Sequence, residues 1–252
     1  MYDRRRHQHS AIVSITLAAA LTVIAVPAFA QSVFQATLAE TNQKTPEANT
    51  ADVQRALADG SAIVVDSRKR AEYVAGHIAG AKNASSVDEM LKVVSGDKGK
   101  AIILYCNGQH CQASRNLSGE LVAAGFTNVR RYQLGIPMWR ALNGPVEIEL
   151  EGIVRIFGAD RTAVYFDARS SEEFAGGTLP GAHNIPIENT SRVAVGEKAA
   201  TLQNDFNIRI ILFGRDSAQA RKLADAVGKT PYQNVSYFPG TFEALAAAVK
   251  TQ

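Results

Sequence analysis

The chain has 252 residues, 46% of them hydrophobic and 20% charged, which is enough for two compact domains and unlike a disordered composition. Its formal charge is +3, and Asp3, Arg4, Arg5 and Arg6 together supply +2 of it, so the remainder offers no broad basic field for nucleic acid or a membrane surface. Two cysteines, Cys106 and Cys111, are too few for a disulfide-built scaffold and leave the fold to a hydrophobic core.

Residues 1–30 have the pattern of a cleaved secretory signal peptide. The basic MYDRRRHQHS leads into the apolar AIVSITLAAALTVIAVP, and Ala28 and Ala30 form a small-x-small site before Gln31. Two adjacent arginines point toward the twin-arginine route, but the hydrophobic motif that should follow them is missing. The rival reading is an uncleaved anchor helix over residues 11–30, since this stretch is nearly long enough to span a bilayer. Ala28 and Ala30 favour cleavage. No later segment is apolar enough to cross a membrane, so the expectation is export, to a bacterial periplasm, with no membrane contact once the leader is removed. Residues 31–45 are polar and read as a linker into a first domain that begins near Pro46.

Beyond the linker the chain repeats itself. Residues 64–83, VVDSRKRAEYVAGHIAGAKN, align with residues 165–184, YFDARSSEEFAGGTLPGAHN. Asp66 matches Asp167, Arg68 matches Arg169, Glu72 matches Glu173, Gly76 matches Gly177 and Asn83 matches Asn184, every pair 101 positions apart. Residues 101–106 align with 209–214 at an offset of 108, and residues 126–132 with 232–238 at 106. Chance does not hold register through so many matches; a domain is duplicated. The seven extra residues before the second of these blocks and the two fewer after it belong in loops.

Each copy predicts the same elements in the same order. A helix (51–60 in the first copy) leads to an apolar strand (62–66; 162–167), then a short E-x-x-x-G turn and an extended segment (81–85; 182–186). A second buried strand (101–105; 209–213), a loop and an amphipathic helix (114–125; 217–228) follow. A short strand (128–132; 234–238) and a final helix (137–142; 241–249) close the unit. Short apolar strands alternating with helices argue for an α/β fold with a parallel sheet, whose sites lie at the carboxyl ends of strands. Cys106 stands at such an end; so does Gly214.

The motif D-x-R-x-x-x-E-[YF]-x-x-G-[HT]-[IL]-x-G-A-x-N resembles the first half of a rhodanese domain. A cysteine directly after a buried strand, followed by a loop and a helix, resembles the second half, and residues 135–139, GIPMW, resemble its closing stretch. The resemblance runs twice along the chain. It implies two tandem rhodanese-like domains, each a parallel-stranded sheet flanked by helices: residues 46–147, active through Cys106, and residues 151–252, without a cysteine and inactive.

The resemblance implies a sulfurtransferase that carries sulfane sulfur as a persulfide on Cys106, with no cofactor and no metal. The donor would be thiosulfate or a similar small sulfur-containing anion, and the acceptor a thiol or other thiophile. The substrate-binding loop would comprise Asn107, Gly108, Gln109, His110, Cys111, Gln112, Ala113 and Ser114. A thiolate is the nucleophile, and backbone N–H groups where this loop enters the helix would depress the Cys106 pKa and hold the outer sulfur. Asp66, Arg68, Asp167 and Arg169 would be structural, His77 a packed turn residue and Trp139 a cover for the core.

The family pattern is broken in two places. In the second copy Gly214 replaces the cysteine, and Ser217 is the only hydroxyl nearby, with no histidine base beside it. In the first copy Cys111 stands five residues after Cys106, where the family's loops usually carry an arginine, and the matching serine, Ser114, comes two residues late. Arg115 lies at the start of the helix. Phosphate-ester hydrolysis, the chemistry of related phosphatases with longer loops, ranks low without an arginine inside the loop to clamp phosphate. Three readings of Cys111 stay open: a loop thiol that pairs with Cys106 on air oxidation; a resolving thiol that attacks the persulfide and so requires a thiol reductant as partner; or, with His110, part of a metal site, for which the sequence offers no second ligand pair. His110 otherwise reads as a solvated loop residue. A different class of function is a non-catalytic or redox-sensing module built on a Cys106–Cys111 dithiol.

Overall fold

The runs IVVD and IILY in the first copy, and VYFD and IILF in the second, are apolar on both strand faces, and such runs are stable only with helices covering both sides of a sheet. A computed structural model describes residues 32–189 and 205–250, and these four runs are the central strands of two sheets. The expected leader or anchor over residues 1–30 lies outside the described residues. No described helix is long and apolar enough to cross a membrane.

In the first copy the strands are β1 (Ile63–Asp66), β2 (His77–Ile78), β3 (Lys82–Asn83), β4 (Ile102–Tyr105) and β5 (Val129–Tyr132), and the helices are α1 (Thr50–Asp59), α2 (Arg70–Ala75), α3 (Val87–Val93), α4 (Gln112–Ala123) and α5 (Gly135–Ala141). The sheet order is β3-β1-β4-β5, all parallel, with Asp66 beside Tyr105 and Tyr105 beside Tyr132. The second copy holds β6 (Val146–Glu147), β7 (Val164–Asp167), β8 (His183–Asn184), β9 (Ile210–Phe213) and β10 (Val235–Tyr237), with helices α6 (Leu150–Ala159), α7 (Ser171–Ala175), α8 (Ser217–Val227) and α9 (Phe242–Lys250). Its order β6-β10-β9-β7-β8 repeats that of the first copy, where Glu47 forms the corresponding parallel bridge to Arg131.

Each sheet lies between two helical layers. On one side of the first sheet Val53 and Ala56 of α1 and Trp139 of α5 meet Val64, Ile103 and Tyr105; on the other, Met90 of α3 and Leu117 and Leu121 of α4 meet Val65, Ile102 and Leu104. The second copy is built alike, with Ile153 and Leu245 on one side and Leu223 and Val227 on the other. Local signals set the boundaries. Asn49 and Asp52 form a reciprocal capping box at the start of α1, and Gly60 ends it in the left-handed conformation at φ 69°.

Several expectations are corrected. The E-x-x-x-G segments close as the short helices α2 and α7 rather than as turns, the latter capped by a Ser170–Glu173 box. Helix α3, unforeseen in the sequence, starts at the Ser86 cap. The expected linker is not free chain: the Glu47 carboxylate accepts hydrogen bonds from the backbone N–H groups of Leu38, Ala39 and Glu40 and from Gln43, fastening residues 38–43 as a strap. Strand pairing also puts Val146 and Glu147 in the second sheet, although the expected boundary at 147 leaves them with the first copy.

The two copies are joined along one edge. Strand β2, from the G-H-I turn of the first copy, pairs antiparallel with β6. His77 is buried, stacks on Tyr73 with ring centroids 3.8 Å apart and reaches Glu147 at 3.5 Å, as a packed turn residue should. Burial works against the charge on Glu147, but hydrogen bonds from His77, Tyr237 and Gly80 outweigh it and hold the carboxyl below its usual range. Arg140 of α5 donates to the Val235 carbonyl at 3.0 Å and to Ser236 Oγ at 3.3 Å. Helices α2 and α6 meet at backbone distance, with Gly152 against Val74.

Candidate active site

Strand β4 delivers Cys106 at its carboxyl end, with 2% of the residue exposed. Helix α4 begins at Gln112, two residues earlier than the sequence predicts, so the loop proper is 106–111 and Gln112, Ala113 and Ser114 form the first helical turn. This early start resolves the late serine: Ser114 Oγ lies 3.3 Å from Cys106 Sγ. Cys111 occupies the N-cap of α4, yet its side chain makes no capping bond, and both thiols are free.

The loop is held from three directions. The Cys106 carbonyl accepts the Ile136 N–H at 3.1 Å, and the Gly108 carbonyl accepts the Cys111 N–H at 3.0 Å. Gly135 approaches so closely, at φ 62°, that a Cβ there would lie 2.3 Å from the Cys106 oxygen. Asn107 is gripped through its side chain: Arg68 donates to Oδ1 at 3.2 Å, and Nδ2 donates to Glu72 at 2.7 Å. Arg68 in turn is forked onto Asp66 and donates to the Gly76 carbonyl at 2.7 Å. The D-x-R pair thus braces Asn107, the residue directly after Cys106. At the exposed tip, Gln109 and His110 bond to each other at 3.0 Å.

The electrostatics differ from what the resemblance implies. Ser114 meets Cys106 Sγ with both its hydroxyl and its backbone N–H, but the other groups facing the sulfur are carbonyl oxygens, Cys111 O at 3.5 Å and Gly108 O at 3.9 Å, so the cradle of N–H groups is reduced to a single one. Burial first, then the adjacent Cys111 thiol, push the Cys106 pKa up to about 11, with Ser114 opposing. Alkylation reads this directly. Thiolate grows tenfold per pH unit below the pKa. Iodoacetamide should therefore modify the half-exposed Cys111 first at pH 8, and the Cys106 rate should climb until pH is near 11. A Cys106 rate already at its plateau at pH 8 would contradict this loop geometry.

Arg115 does not reach back to the missing arginine's place, because its guanidinium lies 2.6 Å from the Glu40 carboxylate on the strap. Among the described residues no group of three or more His, Cys, Asp or Glu side chains is placed to hold a metal ion, which leaves the metal reading of Cys111 and His110 without a ligand set. Trp139 is buried in the core and donates to the Pro145 carbonyl, as a cover residue should.

The second copy shows how the same frame closes. Asp167 and Arg169 reproduce the forked pair, and Arg169 donates to the Gly177 carbonyl at 2.7 Å. From Gly214 the chain enters α8 after Arg215 and the Asp216 cap, and the Gln219 side chain folds back to accept the Arg215 N–H at 2.7 Å. A Cβ at Gly214 would meet Gln219 Oε1 at 2.8 Å. The space that Cys106 occupies in one copy is filled by glutamine in the other. Glu173 binds Arg215 as Glu72 binds Asn107, a correspondence that the repeat offsets contain but that the motif alone does not show.

The fold and this loop define a class: a doubled α/β domain presenting one thiol at a strand's carboxyl end, beside a second copy without it. The chain belongs to the rhodanese family, since the Rhodanese-like domain model matches residues 49–142 and again 155–248. It is 33% identical over 94 residues to thiosulfate sulfurtransferase GlpE of Pseudomonas fluorescens, a match covering 37% of this chain and 84% of that protein. It is 34% identical over 86 residues to human thiosulfate:glutathione sulfurtransferase, covering 30% and 75% of the two chains. The crystal structure of thiosulfate sulfurtransferase from Pseudomonas aeruginosa aligns with 79% of this chain and 44% of its own, at 22% identity and a TM-score of 0.35.

Proposed function

We propose that the protein is an exported sulfurtransferase whose first copy carries sulfane sulfur as a persulfide on Cys106, taken from thiosulfate or a like anion. The observation that carries this reading is the asymmetry of the two copies: the same strand end presents a thiol at Cys106 and a glutamine-filled turn at Gly214. Relatives named as thiosulfate sulfurtransferases support the donor class.

The chemistry needs a thiolate. Cys106 Sγ attacks the outer sulfur of thiosulfate, sulfite leaves with the bonding electron pair, and a thiophilic acceptor then takes that sulfur and returns the thiolate. The carbonyls of Gly108 and Cys111 oppose the charged sulfur, so loading the donor requires them to turn away. Gly108, at φ 92°, is the residue best able to permit it. Thiocyanate formation from thiosulfate and cyanide tests the assignment. Cys106→Ser should abolish it and Cys111→Ser should leave it measurable, whereas a Cys106→Ser protein as active as the wild type would overturn it.

One observation favours a second reading of the same loop. Cys111 has its carbonyl 3.5 Å from Cys106 Sγ and a side chain uncommitted to capping. Its thiolate can attack the Cys106 persulfide, forming a Cys106–Cys111 disulfide and expelling hydrosulfide, after which a dithiol reductant must restore the pair. Without a reductant this route yields at most one sulfide per chain, and none in Cys111→Ser.

A further inference from the structure

The strap and the outer flank of α4 enclose a cavity of about 490 Å³ that the expected function does not use. Three cations line it, Lys44, Arg115 and Arg131, against two carboxylates, Glu40 and Glu120. Neither Cys106 nor any other residue of the 106–111 loop lines it.

Its floor is unusual. Arg131 sits on the central part of β5 with 4% of its surface exposed, and among the described residues its Nε–H has no hydrogen-bond partner. A buried guanidinium normally satisfies its donors, and an orphaned one carries the full desolvation cost of that N–H. Among the described residues the only carboxylate paired with Arg131 is Glu40, at 3.5 Å, and the same carboxylate also serves Arg115 at 2.6 Å. One monovalent carboxylate thus spans two guanidiniums and leaves a donor unused. Glu40 reaches them from a strap that bends through φ 50° at Ala39 and 59° at Asn42, conformations that non-glycine residues seldom adopt.

We propose that this cavity binds a small divalent oxyanion of the sulfate, thiosulfate or phosphate kind, which displaces the Glu40 carboxylate from Arg115 and Arg131. Two charges and three or four acceptor oxygens match the pair of guanidiniums, the free Arg131 Nε–H and the Lys44 amine better than one carboxylate does. Glu40 acts as a tethered competitor that keeps the site weak. The inference is independent of persulfide chemistry on Cys106.

The test uses the full chain carrying Cys106→Ser and Cys111→Ser, so that sulfur transfer plays no part. Thiosulfate, phosphate and acetate are titrated in turn, followed by calorimetry and by the NMR signal of Arg131 Nε–H. Both divalent anions should shift that signal and acetate should not. Glu40→Gln should tighten divalent-anion binding about fivefold, the scale of one partly exposed ion pair, and Arg115→Gln should weaken it by a similar factor. An Arg131 Nε–H signal that none of the anions moves overturns the site. So does an affinity unchanged in both variants, or acetate binding as tightly as thiosulfate.

Discussion

Replacing Gly135 by alanine is expected to lower the kcat/KM of sulfur transfer about a hundredfold while the chain still folds. Gly135 begins α5 at φ 62°, where a Cβ costs about 1–2 kcal/mol in backbone strain alone. The larger effect is steric. The new methyl would lie 2.3 Å from the Cys106 carbonyl oxygen and 2.6 Å from the Gly108 nitrogen, so the loop must move away from the start of α5. Moving it breaks the Ile136 N–H bond to the Cys106 carbonyl and shifts the sulfur relative to Ser114. The damage is local, so circular dichroism should report native helices while both turnover and the alkylation profile of Cys106 change. A Gly135→Ala protein with wild-type turnover would mean that this contact does not position the thiol.

Gly152→Ala should have the largest effect on stability, about 3 kcal/mol, or roughly 6–12 °C in Tm for a chain of this size. Helix propensity argues the other way, since alanine inside a helix is favoured over glycine by about 1 kcal/mol. Packing decides the sign. A Cβ on Gly152 would stand 2.0 Å from the Val74 carbonyl oxygen and 2.6 Å from its carbon, and these are backbone atoms that cannot rotate away. The contact lies where α6 of the second copy crosses α2 of the first, beside the Glu149 N–H bond to that same Val74 carbonyl. Thermal unfolding followed by calorimetry measures it. A Tm equal to or above that of the parent would show that the copies do not meet at backbone distance.

Much of this was readable in the residues, and what was not has physical causes. The four central strands, the long helices and the duplication are written in local pattern, because a strand buried on both faces must be apolar throughout. The D-x-R motif marks Asp66 and Arg68, but the grip of Arg68 on Asn107 leaves no local signal, since it depends on where a loop 39 residues away returns. The loop's electrostatics are hidden from the sequence for a related reason. A helix start near a cysteine fixes where N–H groups begin, not which peptides face the sulfur, and here the Gly108 and Cys111 carbonyls outnumber the Ser114 N–H. The strap leaves no pattern in the sequence because its order comes from a single carboxylate, Glu47, rather than from any periodicity. Glu40 and Arg131 gave no sign of the cavity they share, because ion pairs between an exposed-looking segment and a strand leave no spacing to read.

The proposed sulfur transfer turns on a persulfide at Cys106. Mass spectrometry of the reduced protein after brief treatment with thiosulfate, followed by blocking of free thiols and digestion, locates it most directly. A mass gain of one sulfur atom, placed on Cys106 by peptide fragmentation, is expected in the wild type and in Cys111→Ser, with no gain in Cys106→Ser. Added sulfur found on Cys111 alone, or a Cys111→Ser protein in which Cys106 acquires none, would contradict it.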